Sequence, residues 1–207
     1  MMDQTALLTA FVALFVIIDP VGLTPVFVAL TRGATARARR GIALRACLIG
    51  AGLLTLFGLA GEAVLGFIGI SMPAFRIAGG ILLFLTALDM LFERRTERRE
   101  GKAVAVDDPS VFPLAMPLIA GPGAMATMIL LAGQTGGDAT ALALVHGVML
   151  AVVVLVFLFF LVAGVLERAL GHTGTLVVTR LLGMLLAALS VQFVLDGLRD
   201  LGVLAGA

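Results

Sequence analysis

The chain has 207 residues, of which 61% are hydrophobic and 13% charged, and its mean hydropathy is +1.16. Soluble domains carry roughly 45–50% apolar and about 25% charged residues, so a soluble enzyme, a nucleic-acid module and a secreted scaffold are all disfavoured. The net charge of +1 says little, and Cys47 alone can form neither an intrachain disulfide nor a CxxC pair.

Charges and turn residues divide the chain into apolar stretches at 5–30, 42–61, 72–92, 111–134, 140–166 and 176–198. A transmembrane helix takes about 20 residues, so each is long enough to cross. The start, Met1-Met2-Asp3-Gln4, lacks the basic region of a cleavable leader, so the first span is expected to stay. Trp and Tyr are absent, and with them the usual interfacial aromatic belt.

The basic residues alternate in side. Arg32, Arg37, Arg39, Arg40 and Arg45 sit at the first connection, Arg94, Arg95, Arg98, Arg99 and Lys102 at the third, and Arg168 and Arg180 flank the end of the fifth span. Only Arg76 and Arg199 fall on the other side. Positive loops stay cytoplasmic, which predicts a multi-pass protein of the bacterial inner membrane with both termini outside the cytoplasm. Residues 93–110 mix Arg and Glu before Asp107-Asp108-Pro109, and read as a solvated cytoplasmic linker between units 1–92 and 111–207.

Those units repeat. Glu62, Gly66, Gly69, Arg76 and Gly79 are echoed by Glu167, Gly171, Gly174, Arg180 and Gly183, and Pro20 lies 102 residues before Pro122. A three-span repeat must enter the membrane from opposite sides, an architecture that places a substrate site near midplane where the copies meet. The expected fold is therefore all-α: six transmembrane helices in two inverted three-helix repeats, with broken first and fourth helices.

Five of the seven prolines lie in the first span of each unit, around Asp19-Pro20-Val21-Gly22-Leu23-Thr24-Pro25 and Pro113 through Gly121-Pro122-Gly123-Ala124. Proline removes a backbone donor and glycine permits the bend that follows. Backbone that leaves helical geometry at mid-membrane depth must face protein or a wet cavity. Asp19, the only acid near the centre of a span, is costly there; it either caps the half-helix beyond Pro20 or orients the break around a polar ligand.

Half-helix N-termini suit a carboxylate, and unwound carbonyls with Asp19 suit an ammonium group. A small zwitterionic amino acid such as glycine, alanine or serine meets both demands. The candidate binding residues are Asp19, Pro20, Gly22, Thr24, Pro25, Gly121, Pro122, Gly123, Ala124 and Thr127. Arg76 is expected to snorkel or to pair with Glu62, with Glu167 and Arg180 as the mirror pair; with Gly79 and Gly183 these are assigned structural or gating roles. His146 reads as packed or interfacial, and Ser190 and Gln192 as hydrogen-bonding across helices.

Three segments resemble motifs of the MarC family of integral membrane proteins: Asp19-Pro20-Val21-Gly22-Leu23-Thr24-Pro25-Val26-Phe27, Gly69 through Gly80, and Pro117-Leu118-Ile119-Ala120-Gly121-Pro122-Gly123-Ala124. The resemblance covers nearly the whole chain. It implies six spans, a grouping with small neutral amino acid transporters and, more distantly, LysE-type exporters, and motif roles at Asp19, Pro20, Gly22, Pro25, Arg76, Gly79, Gly121, Pro122 and Gly123. It also implies that the family's old link to antibiotic resistance is a poor guide to activity.

The leading expectation is thus a secondary transporter of small neutral amino acids working by alternating access, one half rocking against the other, with proton or sodium coupling open. No Walker motif points to ATP drive, and no cofactor, nucleic acid or metal partner is expected; homo-oligomerisation is compatible with the sequence. An exporter or channel for other small metabolites or drugs is the alternative. An intramembrane enzyme is disfavoured, because Ser71 and Ser190 lack a nucleophile setting and His146 and His172 face opposite sides.

Overall fold

A computed structural model describes residues 4–92 and 108–203, with the side chains at 167, 168 and 172 outside the description. The expected linker, apart from 108–110, and its basic cluster therefore lie outside the described residues. All regular structure among the described residues is helical: α1 (Gln4–Ile18), α2 (Pro20–Leu30), α3 (Ala36–Phe67), α4 (Met72–Leu91), α5 (Ser110–Ile119), α6 (Pro122–Gly133), α7 (Ala139–Leu161) and α8 (Ala163–Asp200). Residues 4–30 run as one apolar stretch through α1 and α2, while α5 and α6 form one span bent by 55°, so the chain supplies six segments able to cross a membrane. The outer surface is correspondingly greasy, with Phe67, Leu48, Leu56 and Val154 among its exposed side chains.

Local chemistry sets the helix starts. The Thr35 hydroxyl accepts from the N–H of Ala38, the Ser71 hydroxyl from Ala74 and the Asp138 carboxylate from Thr140, each satisfying an orphan first-turn donor. Between α3 and α4 the chain turns at Gly69 (φ 76°), and within α8 it kinks at Gly171 (φ 60°); both conformations lie in the left-handed region, where a Cβ is disfavoured. The basic residues Arg37, Arg39, Arg40 and Arg45, expected in a connection, instead occupy the first turns of α3, which extends beyond the predicted span at both ends. The last predicted span, 176–198, falls within the membrane-length stretch Thr173–Asp200 of α8, which follows the corner that the helix turns at Gly171.

Packing runs mainly between the two expected units, with only lesser contacts of α7 with α6 and α8 inside one of them. The most extensive contact joins α4 to α8; α3 lies on α5, α6 and α7, α1 and α2 each lie on α7 and α8, and α4 lies on α6. Exchange of the first three spans with the last three maps these partnerships onto one another. The α4–α8 pair is antiparallel and close: a Cβ at Gly80 would fall 2.8 Å from the Ser190 carbonyl oxygen, one at Gly183 3.3 Å from that of Ala87, and one at Gly197 3.0 Å from that of Pro73. In lipid, where apolar burial drives little helix association, such backbone proximity supplies the packing that holds helices together.

Candidate functional site at the two broken spans

The first break is a single residue. Asp19 adopts a left-handed conformation (φ 57°, ψ 68°) between α1 and α2 and is fully buried at 0% exposure. That conformation costs an ordinary residue roughly 1–2 kcal/mol, and Asp tolerates it because its short side chain bonds locally. Here Oδ1 accepts the N–H of Gly22 at 3.0 Å, which caps α2. A Cβ on Gly22 would overlap the same carboxylate, so this position requires glycine. The main chain bridges the break, Asp19 N–H donating to Phe15 and Leu23 N–H to the Asp19 carbonyl. Pro20 and Thr24 are buried, while Gly22 and Pro25 are partly exposed.

The second break spreads over a longer segment. Phe112 and Met116, each preceding a proline, are extended (φ −128°, ψ 126° and φ −127°, ψ 123°), the conformation that a following proline ring imposes. As a result α5 is wound wide, with Leu114 N–H donating to Pro109 and Ala120 N–H to Ala115. The chain then passes through Gly121, where a Cβ would fall 2.5 Å from the Pro117 carbonyl oxygen, into Pro122 at the head of α6. No side chain caps α6. Gly123, Ala124 and Thr127 in its first turns are buried, whereas Pro122 reaches the surface.

The two breaks meet: a Cβ on Gly123 would lie 2.8 Å from Cδ1 of Ile17, in the last turn before Asp19, and 3.3 Å from Cδ2 of Leu83. Corresponding threonines treat their half-helices alike. The Thr24 hydroxyl donates to the Pro20 carbonyl at 2.9 Å and that of Thr127 to Gly123 at 2.8 Å, so both point along their own helix.

This arrangement sits in a chain whose residues 4–201 match the sequence model described as MarC family integral membrane protein. The chain belongs to the MarC family. Among the curated relatives of this MarC protein, a UPF0056 membrane protein of Aquifex aeolicus is 37% identical over 93% of this chain and 92% of its own length. One of Archaeoglobus fulgidus is 38% identical, covering 92% and 91%. The UPF0056 inner membrane protein YhgN of Escherichia coli is 34% identical, covering 93% and 96%. No solved structure matches. The protein is therefore a multi-pass integral membrane protein with relatives named as inner membrane proteins.

In this MarC chain Arg76, Ser190 and Gln192 take partners other than those expected. Arg76 contacts Asp200, joining the start of α4 to the end of α8, rather than Glu62, which is exposed. The side chain at Glu167, proposed partner of Arg180, lies outside the description. Gly79 packs on Leu130 of α6 and Gly183 on Met90 of α4, so both are helix contacts. Ser190 donates to Ala187 and Gln192 to Asp196, within α8 rather than across helices. His146 holds Nδ1 2.8 Å from the Leu142 carbonyl, with Nε2 buried against Gly58.

A polar clasp escaped sequence reading. At the basic end Arg45 of α3 pairs with Asp108 at 3.1 Å, and Asp108 accepts the Ser110 N–H that opens α5. Hydrogen bonds from Ser110, and then the Arg45 guanidinium, hold the Asp108 carboxyl below its usual range. The signal available was Asp108-Pro109-Ser110, a turn-forming run in which Asp bonds the N–H two residues on. Among the described residues no cluster of three His, Cys, Asp or Glu could hold a metal ion.

Proposed function

We propose that this MarC protein is a secondary transporter of small neutral amino acids in the bacterial inner membrane, built from two inverted three-span repeats with both termini outside the cytoplasm. The observation that carries this reading is the meeting of the two breaks, with the buried Asp19 carboxylate in one and the uncapped head of α6 in the other. First-turn amides and the positive end of a helix dipole favour a carboxylate, and Asp19 with nearby carbonyls favours an ammonium group. The small residues Gly121, Gly123 and Ala124 at the second break suit a substrate with a short side chain. The self-mapping pattern of helix partners supports the repeat.

The crossed packing changes the expected motion. Each unit buries its spans against the other, so two independent halves are not available to rock. Reorientation of the half-helices α2 and α6 about Asp19 and Gly121, against a fixed α4–α8 pair, gives alternating access instead, and the tight contact between the breaks is its closed state. Hinge segments of this kind absorb the change in a few backbone dihedrals.

Proteoliposomes loaded with labelled alanine test the reading under an imposed proton or sodium gradient. Saturable counterflow, dependent on one gradient, is the expected result. Absence of flux for glycine, alanine and serine defeats the substrate assignment, and unsaturable flux replaces the carrier with a channel.

A further inference from the structure

The basic end of the bundle carries an opening separate from the broken spans. A cleft of about 220 Å³ opens between the first turns of α3 and the junction of α7 and α8, and its walls include Arg39, Arg40, Phe160, Leu161, Val162 and Val165. Arg39 is held in place: its guanidinium lies 5.6 Å over the ring of Phe27, which stacks on Phe160 at 4.2 Å. Among the described residues no carboxylate pairs with Arg39 or Arg40, whereas the neighbouring Arg45 is neutralised by Asp108.

Directly beside these cations the wall turns apolar and open, with Leu161, Val162 and Val165 exposed by 43%, 51% and 70%. A soluble anion has no use for such a rim, while an amphiphile uses both parts. The cleft is also smaller than the roughly 300–1,000 Å³ that encloses a whole small-molecule ligand, so it suits a headgroup whose remainder lies outside. We infer that the cleft binds the phosphodiester headgroup of an anionic phospholipid, with Arg39 and Arg40 on the phosphate and the acyl chains over Leu161, Val162 and Val165. Guanidinium groups match phosphate geometry through paired donors, and the placement of Arg39 over the Phe27 ring pre-orients one of them.

The test uses the full chain purified in a neutral detergent and phosphatidylglycerol labelled on an acyl chain. Saturable binding that raises the melting temperature is expected, with no comparable effect from phosphatidylcholine and no displacement by inorganic phosphate. A basic residue near an anionic lipid surface contributes about 1 kcal/mol, so Arg40→Gln should weaken binding about fivefold and the Arg39→Gln/Arg40→Gln pair more than about tenfold. Val165→Trp, which fills the cleft at an exposed position and keeps the charge, should weaken it as well.

Arg37→Gln removes the same charge from the adjoining cleft that holds Arg45 and Asp108, and should leave affinity unchanged. Equal losses from Arg37→Gln and Arg40→Gln would overturn the site in favour of diffuse attraction. Displacement by inorganic phosphate would overturn the lipid in favour of a soluble anion. Undiminished binding by a folded Val165→Trp variant would overturn the location.

Discussion

Gly123 and Ile17 are in van der Waals contact across the two broken spans, and there is no room between them for one additional carbon at full separation. The obstructing atom is the far end of a flexible side chain, so a methyl group can be accommodated by a small shift of Ile17. A larger group cannot. Gly123→Ala is predicted to fold with a slightly lowered melting temperature, whereas Gly123→Val should cost about 1–3 kcal/mol by overpacking and abolish transport. Ile17→Ala should rescue Gly123→Val in both melting temperature and uptake. Failure of that rescue would mean that the glycine serves its own backbone rather than the contact between the breaks.

Asp19 performs a visible structural task, and the variant series separates that task from any role in binding. Asn caps helices about as well as Asp and also tolerates the left-handed conformation. Asp19→Asn should therefore insert and melt nearly as the parent does while losing transport. Asp19→Ala loses the cap, worth about 0.5–2 kcal/mol, and should melt lower. Normal uptake by Asp19→Asn would restrict the carboxylate to capping.

The α4–α8 seam gives a contrast between two glycines in helices. At Gly80 an added Cβ meets the Ser190 carbonyl oxygen and the Val194 backbone, which cannot swing aside; at Gly66 it meets nothing within 4 Å. Gly80→Ala should lower the melting temperature, with an overpacking cost of about 1–3 kcal/mol. Gly66→Ala should be neutral or stabilising by up to about 1 kcal/mol, the difference in helix preference. Thermal unfolding of the two variants in one detergent compares them directly.

Arg76 and Asp200 differ in their surroundings, with side chains 13% and 43% exposed. Removing the acid leaves a mostly buried guanidinium without its partner. Exposed pairs contribute about 0–1 kcal/mol and loss of one partner from a buried pair costs about 3–5, which places Asp200→Asn near about 1–2 kcal/mol. Glu62→Gln should have no measurable effect on melting. The reverse ranking would restore the Glu62 brace.

Much of the fold is legible because its signals are local. A run of about 20 apolar residues has few alternatives in a bilayer, and the Asp19-Pro20 and Gly121-Pro122 breaks follow from the missing N–H of proline and from left-handed or extended backbone at its neighbours. The predicted third span, 72–92, nearly coincides with α4 for the same reason: Ser71 and Pro73 mark its start.

The misreadings concern partners. Gln192 and Ser190 could hydrogen-bond across helices or along their own, and sequence contains nothing that ranks those options; rotation of α8 against α4 decides it. The Arg45–Asp108 clasp joins residues whose proximity depends on how α5 enters the bundle.

From sequence alone come the membrane-spanning composition and the positions of both faults, since each depends on residues adjacent in the chain. Tertiary structure alone chose Asp200 for Arg76 across 124 positions, set Gly123 against Ile17, and crossed the two units so that each is packed by the other. Those outcomes depend on which helix faces approach within a few ångströms, and in lipid that choice is made by shape and close contact rather than by any pattern of hydrophobicity.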